Sequence, residues 1–281
     1  STQGGLLVPT HLDPTIMLTN TGSMNAIRAI SRVVTLVREN TWNGVTSAGV
    51  SWSWDSEAAA VSDDAPTLAQ PSITTYAARG FIPYSIEISQ DYPGFASEFG
   101  NLLSEGWAYL QATAFVTGST PIGIVTALDA NTNVEVTPTT DGTFSATDID
   151  KVWTALPDRA KANATWLMSS DVSSYIGLWG DAFGGRTVDL AGVPTTLRGR
   201  PLAISSAMPS FTGTTGAANI LVVGDFSRFY IIDRVGMSVE YIPMLFDVTN
   251  NMPTGQRGVF AMARVGSDSI DDGSFRLLQN A

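Results

Sequence analysis

The chain has 281 residues, 44% of them hydrophobic and only 15% charged, with a formal net charge of −11. So apolar a composition excludes a disordered chain, and so few charges fit either a protein that hides surface against copies of itself or a monomer coated in Ser, Thr and Asn. An acidic chain without a Lys/Arg-rich run is no sequence-specific DNA binder, although an acidic wall beside DNA fits, and the absence of cysteine excludes disulfides, thiolate metal sites and thiol nucleophiles.

Residues 1–22 read as an extended N-terminal arm. Gly4, Gly5, Pro9 and Pro14 oppose regular structure, while Leu6, Leu7, Val8, Ile16 and Leu18 need a surface to pack on, in the same subunit or a neighbour. Ser1 opens the chain without Met or a signal-peptide core, as a processed product would, and equally as a trimmed chain would. No run approaches the roughly 20 apolar residues of a membrane-spanning helix.

Met24 to Arg32 suggests a short helix leading into a strand at Val33–Val37. After Asn43-Gly44, the apolar residues Val50, Trp52 and Trp54 alternate with Ser51 and Ser53, which predicts a strand. The acidic stretch 55–66 breaks the pattern, and alternation returns at Ile73 and at Ile82, Tyr84, Ile86 and Ile88. Two strands around a polar tip predict a projecting hairpin over about 45–80. Each indole can bury on the order of 200 Å², so Trp52 and Trp54 either enter the core or await another surface.

The clearest helix is expected over 93–117, started by Asp91 and Pro93 and stopped by Gly118. Phe95, Phe99, Leu102, Leu103, Gly106 and Leu110 share one face at the 3.6 period. Its length is about 35–40 Å at 1.5 Å per residue.

Pro121 opens a mixed α/β lobe. Thr147, with Asp150 at the box position, predicts the cap of a helix that buries Ile149, Val152, Trp153 and Leu156 and ends at Pro157. Ala164–Met168 reads as a buried strand. Ser169 or Ser170 then caps a helix with Val172, Tyr175, Ile176 and Trp179 inward and Gly180 as its stop. Strands are expected at Ile220–Val223, Phe229–Ile232, Met237–Ile242, Gly258–Val265 and Phe275–Leu278. The organisation expected is an arm (1–22), a first lobe (23–120), a second lobe (121–243) and strands returning to the first (244–281).

Little in the sequence points to chemistry. The one histidine, His11, sits in the arm, a poor mount for a Ser–His–Asp system. No Gly-x-Ser-x-Gly elbow or phosphate-binding loop occurs, and Gly177–Gly185 does not fit dinucleotide spacing. Asp63-Asp64 and the group Asp268, Asp271 and Asp272 have the ligand type for a hard cation, but not calcium-hand spacing; solvated acidic turns are the ordinary reading. No catalytic, cofactor-binding or metal residue is therefore assigned.

Six short motifs, in order, resemble tailed-phage major capsid proteins. They are Gly4-Gly5-Leu6-Leu7-Val8-Pro9; Ile82 to Asp91 (IPYSIEISQD) entering the long helix; and Gly118, Pro121, Gly123 and Ile124 after it. Ala164 to Ser169, then Thr196 to Pro201 with Met208-Pro209, follow. Gly224-Asp225-Phe226-Ser227 with Tyr230 to Arg234 completes the set. The resemblance implies an α+β tailed-phage capsid fold with an N-terminal arm, an extended β-hairpin loop, a peripheral lobe holding a long spine helix, and a mixed α/β axial lobe. It implies assembly with copies of itself into pentamers and hexamers of an icosahedral virion shell, in the host cytoplasm, with packaged DNA contacted non-specifically. Portal, scaffold, maturation protease and cement proteins are the further partners it implies, with no membrane and no cofactor. An encapsulin, a cargo compartment of the same fold, is the nearest alternative; an α/β enzyme or a decoration protein fits less well.

Some members of that family weld subunits through a hairpin lysine and an asparagine. Here the only lysines are Lys151 and Lys161, so no hairpin cross-link is expected. Apolar area must then substitute, since obligate interfaces bury on the order of 2,000–5,000 Å². The interface candidates are Leu6, Leu7, Trp52 and Trp54, with Glu57, Asp63 and Asp64 seeking arginines on a neighbour.

Overall fold

The computed structural model describes residues 25–57, 65–91, 95–140, 142–177, 195–211, 218–250 and 252–280. The N-terminal arm, with Leu6, Leu7 and His11, lies outside them, as do Asp63, Asp64, Trp179 and Gly180. The first half of the chain forms α1 (Ile27–Ile30), β1 (Arg32–Thr35), β2 (Thr41–Asn43), β3 (Thr46–Ser47), β4 (Leu68–Ala69), β5 (Ser72–Thr74), β6 (Tyr76–Ser85), α2 (Ile86–Asp91), α3 (Phe95–Thr117) and α4 (Ile124–Asp129). It continues with β7 (Glu135–Val136), α5 (Ala146–Ala155), α6 (Asp158–Lys161), β8 (Thr165–Met168) and α7 (Ser170–Gly177). The described strands that follow are β9 (Thr196–Leu197), β10 (Arg200–Ile204), β11 (Ala218–Gly224), β12 (Phe229–Ile242), β13 (Gln256–Ser269) and β14 (Phe275–Asn280), with short 3-10 turns at Phe226–Arg228 and Asp272–Ser274.

Two larger sheets organise these elements, with strand orders β1-β12-β13-β6 and β7-β14-β11-β8-β10-β9. Each of two small ladders has two strands, β2-β5 and β3-β4. The chain divides into two compact units. Arg79–Ala108 and Met237–Met262 belong to one, and Ser23–Ala78, Tyr109–Gly236 and Ala263–Ala281 to the other.

The larger unit is built on the six-stranded sheet. β8 is buried at every position because it is a central strand, parallel to β10 and antiparallel to β11, and a strand buried on both faces reads as a continuous apolar run. Trp166, Met168, Leu221, Val223 and Leu278 meet Ile149 and Val152 of α5, Leu156 just after it and Val172 of α7 in one apolar cluster. Trp166 is fully buried, and its indole N–H donates to Leu197 O at 3.0 Å, so burial leaves no unpaired donor.

In the smaller unit, Phe99 of α3 packs on Tyr84 of β6 with ring centroids 4.9 Å apart, and Leu103 lies against Gly80. Further along α3, in the larger unit, the buried face is Ala112, Phe115 and Val116. The expected stripe therefore holds at Phe99 and Leu103, but Gly106 and Leu110 are exposed.

Other details also differ from the sequence reading. The strand expected at Val50–Trp54 has no regular structure, and the paired hairpin segments are Thr41–Ser47 and Leu68–Thr74. Helix α1 is only four residues, and Tyr175, expected inward, is half exposed beside Phe144 and Phe211. The strands expected at Phe229–Ile232 and Met237–Ile242 are one continuous strand, β12.

The cap of α5 is Ser145, not Thr147, and its box partner is Asp148. Asp148 is fully buried and accepts from Thr139 N (2.7 Å), Thr139 Oγ1 (2.8 Å), Ser145 N (2.8 Å) and Ser145 Oγ (2.7 Å). Burial alone would raise its pKa, but these bonds outweigh it and hold the carboxyl below the ordinary value. A carboxyl depressed on folding stabilises above its unfolded pKa of about 3.9, and that contribution is lost as pH falls through the folded value. Asp148→Ala should cost the unassembled subunit about 2–4 kcal/mol in urea unfolding at pH 7, a deficit that shrinks toward pH 2.

Candidate subunit-interface surfaces

The hairpin, a second arm, grows from paired segments. Trp42 lies opposite Ile73 in the β2–β5 ladder, and Thr46 opposite Ala69 in β3–β4. Ile73 is buried, so the start of the hairpin has its own apolar contact. Beyond Ser47 residues 48–56 have no regular structure, and Trp52 and Trp54 stand at 95% and 105% of full exposure. Val50 and Leu68 are exposed on the same arm, and so is Glu57. Ser53 Oγ donates to both oxygens of Asp55 at 3.0 Å, and Gly49 N donates to Ser47 Oγ at 3.1 Å. Of the seven candidate residues, the structure thus describes Trp52, Trp54 and Glu57, all in solvent; Leu6, Leu7, Asp63 and Asp64 fall outside the described residues.

A second apolar surface escaped the sequence reading. On the smaller unit Met237, Val239 and Tyr241 alternate along β12 and all are exposed. The chain then turns through residues 243–255, where Met244, Phe246, Val248 and Met252 are also exposed. This turn is ordered by its backbone. Leu245 N donates to Gln256 O, Thr254 N to Leu245 O, and Asp247 N to Met252 O, each at 2.9 Å. Asp247 caps it by accepting from Thr249 N (3.2 Å) and Asn250 Nδ2 (2.8 Å). The signal was available as apolar residues on both sides of an Asp-x-Thr-Asn turn, an arrangement that holds side chains outward without a core beneath them.

Several of the described titratable groups are engaged in local structure. Burial, then the Tyr241 hydrogen bond and charge, push the Tyr84 hydroxyl up to about 12, against the opposing pull of Arg257. Burial raises the Asp268 pKa, the Ser269 N–H opposes it, and Asp272 adds to it. Asp271 accepts from Ser274 Oγ at 2.6 Å and Asp272 from Asn131 Nδ2 at 3.4 Å. Among the described residues no group of three or more His, Cys, Asp or Glu side chains is placed to hold a metal ion. Both lysines are engaged away from the hairpin, Lys151 donating to Thr137 O at 2.6 Å and Lys161 to Asp158 at 2.8 Å.

Solved structures share this fold from end to end. The capsid of a native GTA particle, computed with C5 symmetry, matches with a TM-score of 0.84 at 24% identity over 100% of this chain and 97% of that one. A chain of Gordonia phage Cozz matches at 0.70 and 15% identity, covering 98% of this chain and 92% of its own. One of Mycobacterium phage Ogopogo matches at 0.67 and 15% identity, covering 98% of each. The fold is that of capsid subunits, an α+β architecture. The chain belongs to the phage capsid family, whose sequence model matches residues 4–280. Family and fold together make it a structural capsid protein and place it in the virion. No curated protein sequence matches the chain.

Exposure and burial separate two kinds of tryptophan. Trp52→Ala and Trp54→Ala should leave the unfolding free energy of the lone subunit within about 0.5 kcal/mol of wild type. Trp166→Ala, which empties a fully buried site, should cost about 3–5 kcal/mol in the same urea titration.

Proposed function

We propose that this protein is the major capsid protein of a tailed phage, assembling non-covalently into pentamers and hexamers of an icosahedral shell around double-stranded DNA. The observation that carries the reading is the family match over residues 4–280, with capsid structures of GTA particles covering 100% of the chain. On this reading the six-stranded body is the axial lobe, and the start of α3 with the outer parts of β6, β12 and β13 supplies the peripheral lobe. The hairpin and the N-terminal arm reach onto neighbours, where Leu6, Leu7, Trp52 and Trp54 bury their apolar surface. Glu57, Asp63 and Asp64 then pair with arginines of the neighbouring copy.

Physical chemistry supports the non-covalent part. Neither lysine is on the hairpin, so a lysine-based weld there has no nucleophile. The apolar exposure that would replace it is present at the arm and at the 243–255 turn. A net charge of −11 keeps the wall from gripping DNA through phosphate contacts, so the genome is contained rather than bound. Portal, scaffold, maturation protease and cement proteins are partners of the same reading.

The Trp52→Ala/Trp54→Ala double variant tests it. The variant subunit should stay folded while its yield of shells in sucrose gradients falls at least tenfold, since two buried aromatic anchors are worth more than 1.4 kcal/mol together. Wild-type yield from the double variant would remove the arm from the interface. Intact particles, unheated and reduced, should run as single subunits on denaturing gels; covalent ladders would contradict non-covalent closure. Nuclease-protected DNA should co-purify, and protein cargo in its place would indicate an encapsulin.

A further inference from the structure

We propose that a clamp at the root of the hairpin, centred on Arg234 and Trp42, fixes the direction of the arm before assembly. These two are positioning residues for shell formation, an inference that rests on the capsid reading for its purpose but not for its geometry.

The clamp has three parts, all within the larger unit. The first is Asn40, just before β2. Its side-chain oxygen accepts from the guanidinium of Arg234 on β12, 194 residues away, and the same guanidinium donates to Arg38 O at 3.3 Å. The backbone oxygen of Asn40 accepts from Thr75 N at 2.8 Å and Thr75 Oγ1 at 2.9 Å. One residue thereby ties the outgoing chain, the returning chain and β12 together.

The second part is a stack. The Trp42 ring lies over Gly44, where a Cβ would stand only 2.3 Å from a ring carbon, so only glycine leaves room. Trp42 also packs on Tyr230, ring centroids 4.9 Å apart at 40°. Arg32 holds Tyr230 in turn, with its guanidinium 5.0 Å from the ring centroid and a 2.9 Å hydrogen bond to the hydroxyl. The third part is Gly266 on β13, where a Cβ would fall 2.4 Å from Thr74 O, so the returning strand rests on bare backbone.

These contacts add little to a core. Arg38, Glu39 and Asn40 are exposed, and the Arg234 bonds are at the surface. What they constrain is angle. The ladders shorten from three residue pairs in β2–β5 to two in β3–β4, and the regular structure then stops before Trp52. A clamped root restricts the directions in which the arm can leave the body. Such pre-organisation lowers the ordering cost of association.

The chain has no cysteine, so Ala69→Cys with Ser227→Cys gives two clean sites for spin labels on the exposed arm and body. Electron–electron distance measurement on the unassembled subunit should give a narrow distribution in the wild-type background and a broad one with Arg234→Ala. Arg234→Lys, which keeps one donor, should fall between them. The thermal midpoint of the subunit should not move, while the concentration needed for half-maximal shell formation should rise roughly three- to tenfold with Arg234→Ala. An unchanged distance distribution would overturn the clamp whether or not shells form. A broadened distribution with an unchanged assembly threshold would overturn its positioning role and leave the capsid reading intact. If wild type formed no shells, the capsid reading would fail, and the distance distributions would still decide whether the clamp exists.

Discussion

Trp52 and Trp54 stand in water beyond the paired strands of the hairpin, and that uncovered apolar surface sets what the body must supply. By area each indole forgoes on the order of 4–5 kcal/mol of burial, large beside a net domain stability of about 5–15 kcal/mol. A subunit can leave such groups exposed only if its body is stable without them. The six-stranded sheet meets this need with a buried central strand, an indole whose N–H is satisfied internally, and a buried carboxylate with four donors.

Burial and apolar exposure therefore fall on different residues. Trp166, Leu221 and Ile149 hold the larger unit; Trp52, Trp54 and the turn carrying Phe246 and Met252 offer surface to something else. The polar groups follow the same division. Arg28 pairs with Asp233 beside β1, Arg198 with Asp150, and Arg234 with Asn40, each fixing one part of the subunit on another rather than facing a reactant. Of the acids at 268–272, Asp271 accepts from Ser274 within its own turn and Asp272 from the distant Asn131.

Much of the body was legible because periodicity reports burial. The long helix was expected over 93–117 and runs Phe95–Thr117, and the continuous apolar run at Ala164–Met168 is the central strand β8. The α5 cap was misplaced by two residues because Ser145-x-x-Asp148 and Thr147-x-x-Asp150 both fit the box. Thr139 decides between them, donating to Asp148 from nine residues upstream. Alternation at Val50–Trp54 resembled a strand, but alternation needs a partner, and the pairing lies nearer the body, at Thr41–Ser47 with Leu68–Thr74. Leu110 kept the helix period while the buried face moved to Ala112 and Phe115, a shift that only the packing reveals. The sequence left Trp52 and Trp54 open between the core and another surface, and the structure exposes both; Arg234 at Asn40 was not readable, because nothing local marks a contact spanning 194 residues.

The most direct test is electron cryomicroscopy of the particles this protein forms, at a resolution that shows side chains. The expected result is closed icosahedral shells in which Trp52 and Trp54 of each copy are buried against a neighbouring copy. A folded protein that stays monomeric or dimeric, or shells that leave both indoles in solvent, would contradict the assignment of the arm as the element that joins one subunit to the next.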